Sequence, residues 1–318
     1  MDESPSTPQY RISGHETFSC RYSWLPKAVH HLRENPELFS DEDAAMVTLG
    51  VGKNMVRSIR FWVNAAGVSV SSGRGTKHSL TEFGIELLGP SGWDPYMEDV
   101  RTLWLIHWKL STAIERPLLA WDFLLNRWHD PELTSRSVVK ALHKEATRAD
   151  AALSSVTVEQ HVDTFLHTYV PTRGRKGIIQ EDNLDCPLVE LELVVKIGDR
   201  DLEAASGKRE PIYAFRRDEK PDITPELFAY CLSDFWQSRH PKNGTLTLKE
   251  IAHGHGSPGQ VFKLPEDDVR SRVDQLSAQT NGEFTYSESS TQQQVQRSSK
   301  PDSNALLERI YETEVQYV

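Results

Sequence analysis

The order of periodic segments constrains this chain more than any single motif. Three times along its 318 residues, a helical pattern is followed by a second helix with a short punctuated lead-in and then by two β-like segments. That order sets a hairpin against a small helical cluster. It predicts tandem winged helix-turn-helix-like modules in a protein that is mainly α with small β-hairpins, an α+β arrangement. The length exceeds one small core. We divide it into 1–90, an N-terminal arm with a basic DNA-binding winged-helix module, and 91–130, an aromatic helical connector. Then come 131–220, a second winged-helix-like module with an acidic strand, and 221–318, a C-terminal winged-helix-like module.

In the first module, Leu25, Val29 and Leu32 share one face of a helix. Ser40 with Asp43 has capping-box-like spacing and opens a second helix that stops at Gly50. A third follows, with Met55, Ile59, Val63 and Ala66 at helical spacing and Gly67 at its end. Lys53, Arg57, Arg60 and Asn64 fall on a separate polar stripe beside Asn54. A β segment, a Gly-rich turn carrying Arg74 and Lys77, and a return strand complete the unit. From Thr48 to Leu80 there are five Lys or Arg residues and no Asp or Glu, on a chain of net charge -10. Only the docking face must match a phosphate backbone, so this island is read as a DNA face. The bland alternative is a solvated face on a packed helix.

Seven of the eight tryptophans lie between Trp24 and Trp128. "VRTLWLIHWKL" is apolar nearly all round, which marks a buried helix with His107 as a satisfied core histidine. In the second module, Thr157 and Gln160 have capping-box spacing, and the helix they open carries Glu159 and Asp163 on its polar face, a poor surface for phosphate. Arg173, Arg175 and Lys176 follow in a loop that either grips a backbone or forms a tip. Next come Glu181, Asp182, Asp185, Glu190 and Glu192, interleaved with Leu188, Leu191 and Leu193 as in a strand. Carboxylates at a sheet edge beside Lys196 are a loose match to a metal-dependent nuclease; a capped loop leading into an edge strand is the favoured reading. In the third module, Leu227, Phe228, Cys231, Leu232, Phe235 and Trp236 define an amphipathic helix. His253 and His255 lie in a glycine-rich turn with no third ligand at hand, and "GEFTYSESSTQQQVQRS" reads as a hairpin.

The chain has three widely spaced cysteines, an acidic polar start and no apolar run of membrane-spanning length. These features point to a cytoplasmic protein without a membrane partner, a disulfide framework or a zinc ribbon.

"SGHETFSCRYSWLPK", "VTLGVGKNMVRSIRFW", "LTEFGIELLG…GWDPYMEDVRTLWLIHW", "EDNLDCPLVEL" and "GSPGQVFKL" together resemble the SspB-like family of bacterial single-strand DNA phosphorothioation systems. The resemblance runs from about Ser13 to Tyr311. It implies a DNA nickase acting on double-stranded DNA with Mg²⁺ or Mn²⁺ in anti-phage defence. The implied partners are a cysteine desulfurase, an ATPase and an ATP-pyrophosphatase-like enzyme. On that reading His15 is a general base or phosphate contact, and Glu16 or Asp185 holds metal. Glu190 is a further catalytic carboxylate, and Arg21 neutralises phosphate. The alternative is a non-catalytic DNA-binding adaptor, or a transcriptional regulator, that needs only the basic face. Adjacent side chains on an extended chain point to opposite faces. His15 and Glu16 are therefore expected to divide their roles, one holding the arm to the core and the other facing DNA.

Overall fold

The computed structural model describes residues 9–72, 77–148, 154–171, 186–202, 208–289, 292–298 and 302–312. The chain is mainly helical with small antiparallel sheets, as its pattern predicts. It forms two compact units: Met1–Leu124 with Trp128–Arg216, and Leu125–Arg127 with Arg217–Val318.

The first unit begins with three clustered helices. α1 (Trp24–Glu34) buries Trp24, Leu25, Ala28, Val29 and Leu32. α2 (Glu42–Leu49) starts one residue later than expected from Ser40. Its N-cap is Asp41, whose carboxylate accepts from the Asp43 and Ala44 N–H groups, while the Ser40 hydroxyl turns back to the Glu37 carbonyl. A carboxylate at the positive end of a helix is a strong acceptor. α3 (Lys53–Ala65) buries Val56, Ile59, Trp62 and Val63 and leaves its polar stripe open. β1 (Ser69–Ser72) and β2 (Lys77–Leu80) pair antiparallel, with Ser72 opposite Lys77. α4 (Glu82–Leu88) follows, capped by Thr81.

α5 (Val100–Thr112) is buried on nearly every side, as its sequence demands. With α6 (Leu119–Asn126), α7 (Ser135–Arg148) and α8 (Ser155–Tyr169) it carries the aromatic centre of the unit. Trp104, Trp108 and Trp121 are each at most 1% exposed. At about 150–250 Å² per buried ring, each contributes roughly 4–6 kcal/mol of transfer free energy as an upper figure. The Tyr169 hydroxyl accepts from the Trp121 indole at 2.8 Å, which leaves its own proton for His107 Nδ1 at 2.7 Å. His107 is thus a satisfied core histidine.

Two sequence expectations shift here. α8 begins at Ser155 behind Ser154, so Thr157 lies inside the helix rather than at its cap. The stretch Pro187–Leu191 is a 3-10 helix, not a strand. Pro187 in its first turn and Glu192 in the left-handed region (φ 46) bracket that turn, and β3 (Val194–Asp201) begins only after it. β3 pairs antiparallel with β4 (Arg209–Phe215).

The second unit contains α9 (Pro225–Arg239), β5 (Thr245–Thr247), α10 (Leu248–His253), α11 (Pro258–Val261), α12 (Glu266–Gln279), β6 (Phe284–Glu288), β7 (Gln293–Arg297) and α13 (Ser303–Glu312). The amphipathic face read from α9 is its buried face: Leu227, Phe228, Cys231, Leu232, Phe235 and Trp236. The expected hairpin is β6–β7, and β5 joins it in the order β5-β7-β6. Thr247 and Glu250 form a capping box on α10. His253 is tied to Glu266 at 2.6 Å.

Candidate nucleic-acid interface

The open face of α3 carries the basic stripe, but two of its cations are already paired. Glu42, the first residue of α2, accepts from Arg57 Nε at 2.7 Å and Nη2 at 3.1 Å, and from Lys53 Nζ at 3.0 Å. These bonds, Arg57 first, lower the Glu42 pKa to about 2 and raise that of Arg57. The half-buried Glu16 also acts electrostatically on Arg57. Asn54 and Lys77 are exposed.

Beside this stripe lies a cavity of about 200 Å³ lined by Arg11, Arg57, Arg60 and Arg116 together with Phe61 and Asn64. Ser71 and His78 of the β1–β2 hairpin also line it. Arg57, Arg60 and Asn64 come from successive turns of one helix face, as the sequence spacing requires. Arg11 and Arg116 come from outside the helix–hairpin unit. Residue 11 forms a parallel bridge with Leu118; its N–H donates to the Pro117 carbonyl at 2.8 Å. That bridge brings Arg11 beside Arg116, and the Arg11 guanidinium rests over the Phe61 ring and donates to Asn64 Oδ1 at 2.5 Å. Burial, and secondarily the charge of Arg116, lower the Arg11 pKa. No periodicity within one segment signals these two arginines; they meet only through the bridge.

The Gly-His-Glu-Thr-Phe motif is a turn, not an extended arm. Gly14 (φ 102), Glu16 (φ 50) and Thr17 (φ 65) all have left-handed backbone. His15 is 3% exposed and stacks on His161, with ring centroids 5.4 Å apart. The Ala120 N–H donates to His161 Nε2 at 3.1 Å and the Thr17 N–H donates to His15 Nδ1 at 3.2 Å, while His161 Nδ1 lies 3.2 Å from His15 Nε2. Thr164 Oγ1 lies 3.1 Å from His15 Nδ1 and donates its own proton to the Gln160 carbonyl at 2.8 Å. Each of these two backbone donors needs a ring-nitrogen lone pair, so both rings are neutral. Burial lowers the pKa of His15 to about 4 and that of His161 to about 3.

Arg21 lies over the rings of Phe18 and Trp24, at 5.9 and 5.5 Å. Glu190 accepts a hydrogen bond from the Tyr22 hydroxyl. Arg74, Arg173, Arg175 and Asp185, with Lys176, Glu181 and Asp182, lie outside the described residues. Glu192 and Lys196 line a groove of about 630 Å³ with Asp163, His167, Asp199 and Tyr213, where Lys196 pairs with Asp199 at 2.7 Å. Among the described residues, one trio of ligand-bearing side chains converges within 4.8 Å: His30, His31 and Glu34 on α1. Two imidazoles suit a borderline transition metal better than Mg²⁺, which takes oxygen ligands.

Fold and site together define a mainly helical protein with small antiparallel sheets and an arginine-lined cavity on its first unit. The chain belongs to the family described as Protein of unknown function (DUF4007), whose model matches residues 12–311. It is SspB-like. It resembles an SspB crystal structure with a TM-score of 0.81 at 26% identity, covering 94% of this chain and 87% of that one. It also resembles a magnesium ion-bound SspB crystal structure with a TM-score of 0.82 at 26% identity, covering 96% and 91%. None of the curated proteins matches the chain. Among the described residues, no helix is long and apolar enough to cross a membrane.

Proposed function

We propose that this chain is the DNA-contacting component of a bacterial DNA phosphorothioate modification and anti-phage defence system in the cytoplasm. α1–α3 and the β1–β2 hairpin act as a winged-helix-like module on double-stranded DNA. One observation carries the reading: Lys53, Asn54, Arg57 and Arg60 line one open helix face that continues into the arginine-lined cavity beside the hairpin. Arginine forks match phosphate oxygens two at a time. The β5-β7-β6 sheet threaded with helices supports a second winged-helix-like module in the other unit. Cysteine desulfurase, ATPase and ATP-pyrophosphatase-like proteins are its proposed partners.

Nicking of one strand is the reaction we assign to it, supported by the likeness to a magnesium-bound SspB. Glu16, Asp185 and Glu190 are the proposed carboxylates. Glu16 acts on the Arg57 cation and Glu190 is engaged by Tyr22, and among the described residues neither belongs to a converging trio of metal ligands; Asp185 lies outside the described residues. That observation favours a second reading, an adaptor that recruits the sulfur-transfer enzymes without cutting. Relaxation of supercoiled plasmid, with Mg²⁺ and with EDTA, separates the two. Nicking by the intact protein that is lost in Glu16→Ala, Asp185→Ala or Glu190→Ala supports the nickase. Tight DNA binding with no cutting under any metal supports the adaptor. DNA binding should weaken with salt at a log–log slope of about -3 to -5 if the five basic residues each meet a phosphate; a flat dependence would contradict the whole reading.

A further inference from the structure

We propose that the cavity between Arg11, Arg57, Arg60 and Arg116 is a phosphate seat, holding one phosphate group of a nucleic-acid backbone or of a free phosphate compound. The backbone case rests on the DNA-binding reading above; the seat itself does not.

The argument begins with charge. Four guanidiniums line one small concavity, and among the described residues no carboxylate lines it. Like charges gathered this way repel, and the repulsion grows as water is excluded. Part of that cost is visible at Arg11, which burial and the charge of Arg116 both penalise. Arg57 alone of the four has a carboxylate partner in Glu42, across on α2; among the described residues neither Arg60 nor Arg116 forms an ion pair. An anion in the cavity would offset the repulsion.

Size and donor geometry narrow the anion. About 200 Å³ is room for a phosphate group with some water. Arg11 is held by its backbone bridge to Leu118, by Asn64 and by the Phe61 face, so it is pre-positioned rather than free to swing. Gly14 lines the cavity with left-handed backbone (φ +102), and a Cβ there would lie only 3.2 Å from Phe61 Cδ2. The arm therefore packs closely against α3, and Arg11 and Arg116 reach the cavity from segments other than that helix. Several guanidinium forks drawn from separate segments can meet more than one oxygen of a phosphate.

The test uses the intact chain in two arms. In the first, inorganic phosphate is titrated against chloride at constant ionic strength, with calorimetry and the thermal midpoint as readouts. Wild-type protein should bind phosphate and be stabilised by it. Arg116→Ala, at an exposed position, should bind about tenfold more weakly. Arg60→Gln should do the same. In the second arm, a short duplex oligonucleotide is bound with and without phosphate. Competition, together with about tenfold weaker DNA binding by Arg116→Ala, assigns the seat to the DNA backbone. Phosphate binding without competition assigns it to a free phosphate compound. Phosphate binding in a protein that ignores DNA keeps the seat and removes the DNA reading. A protein that distinguishes phosphate from chloride no better than Arg116→Ala does, and whose DNA affinity Arg116→Ala leaves unchanged, overturns the seat while the DNA reading stands.

Discussion

His15 and His161 stack face to face and share a hydrogen bond of 3.2 Å between Nε2 and Nδ1, inside a core closed to solvent. The pair clips the N-terminal arm to α8 across 146 positions of sequence. It works only while both rings are neutral.

Acid should therefore loosen the first unit earlier than ordinary carboxylate titration would. Both folded pKa values lie below the unfolded value near 6.5, so the unfolded chain binds protons first. The pair's full contribution is present above about pH 6.5. It declines as pH falls from there and is gone near the folded values of about 4 and about 3. At pH 5 the loss should be about 2 kcal/mol per histidine. Urea denaturation midpoints between pH 7.5 and 5 measure it. In His15→Gln the slope should flatten, and an unchanged slope would count against the neutral pair.

Glu42 occupies two cations of the proposed DNA face. Glu42→Gln removes the charge that occupies Lys53 and Arg57. DNA affinity should rise severalfold at low salt, and the log–log salt slope should steepen by about 1 to 2, one counterion per freed cation. Fluorescence anisotropy across a salt series reads both. A variant that binds more weakly would show that Glu42 positions the two cations rather than competing for them.

Gly14→Ala should destabilise the arm, because its φ of 102 belongs to glycine and its Cβ would press on Phe61. The expected cost is about 1–3 kcal/mol, with faster proteolysis near the N-terminus. Gly50→Ala, left-handed but in open space, should cost less. Equal costs would mean that the Phe61 contact is unimportant.

Trp62→Phe keeps a buried ring but removes the indole donor to the Phe18 carbonyl at 3.0 Å. The loss should be about 1–3 kcal/mol in thermal or urea unfolding. DNA affinity at permissive temperature should be unchanged, since Trp62 faces the core, away from the polar stripe.

Sequence periodicity by itself determined the mainly helical class, the β1–β2 and β6–β7 hairpins, the buried α5, the apolar face of α9 and the open basic stripe of α3. Each is a local matter: side chains three or four positions apart on a helix, or two apart on a strand, must share a face. Beyond the caps of α2 and α8, each placed off its position, local pattern misplaced two features. The alternation of Leu188, Leu191 and Leu193 suggested a strand, but Pro187 and the left-handed Glu192 bound a 3-10 turn. His15 and Glu16 were read on an extended arm, whereas three left-handed residues fold them into a turn that sends His15 inward. The partners of the basic stripe were decided by tertiary structure alone. Glu42 reaches Arg57 from the preceding helix, Arg116 meets Arg11 through a bridge 107 residues long in sequence, and His161 closes over His15 from α8. Such contacts depend on which segments pack together, and no periodicity within a segment records that.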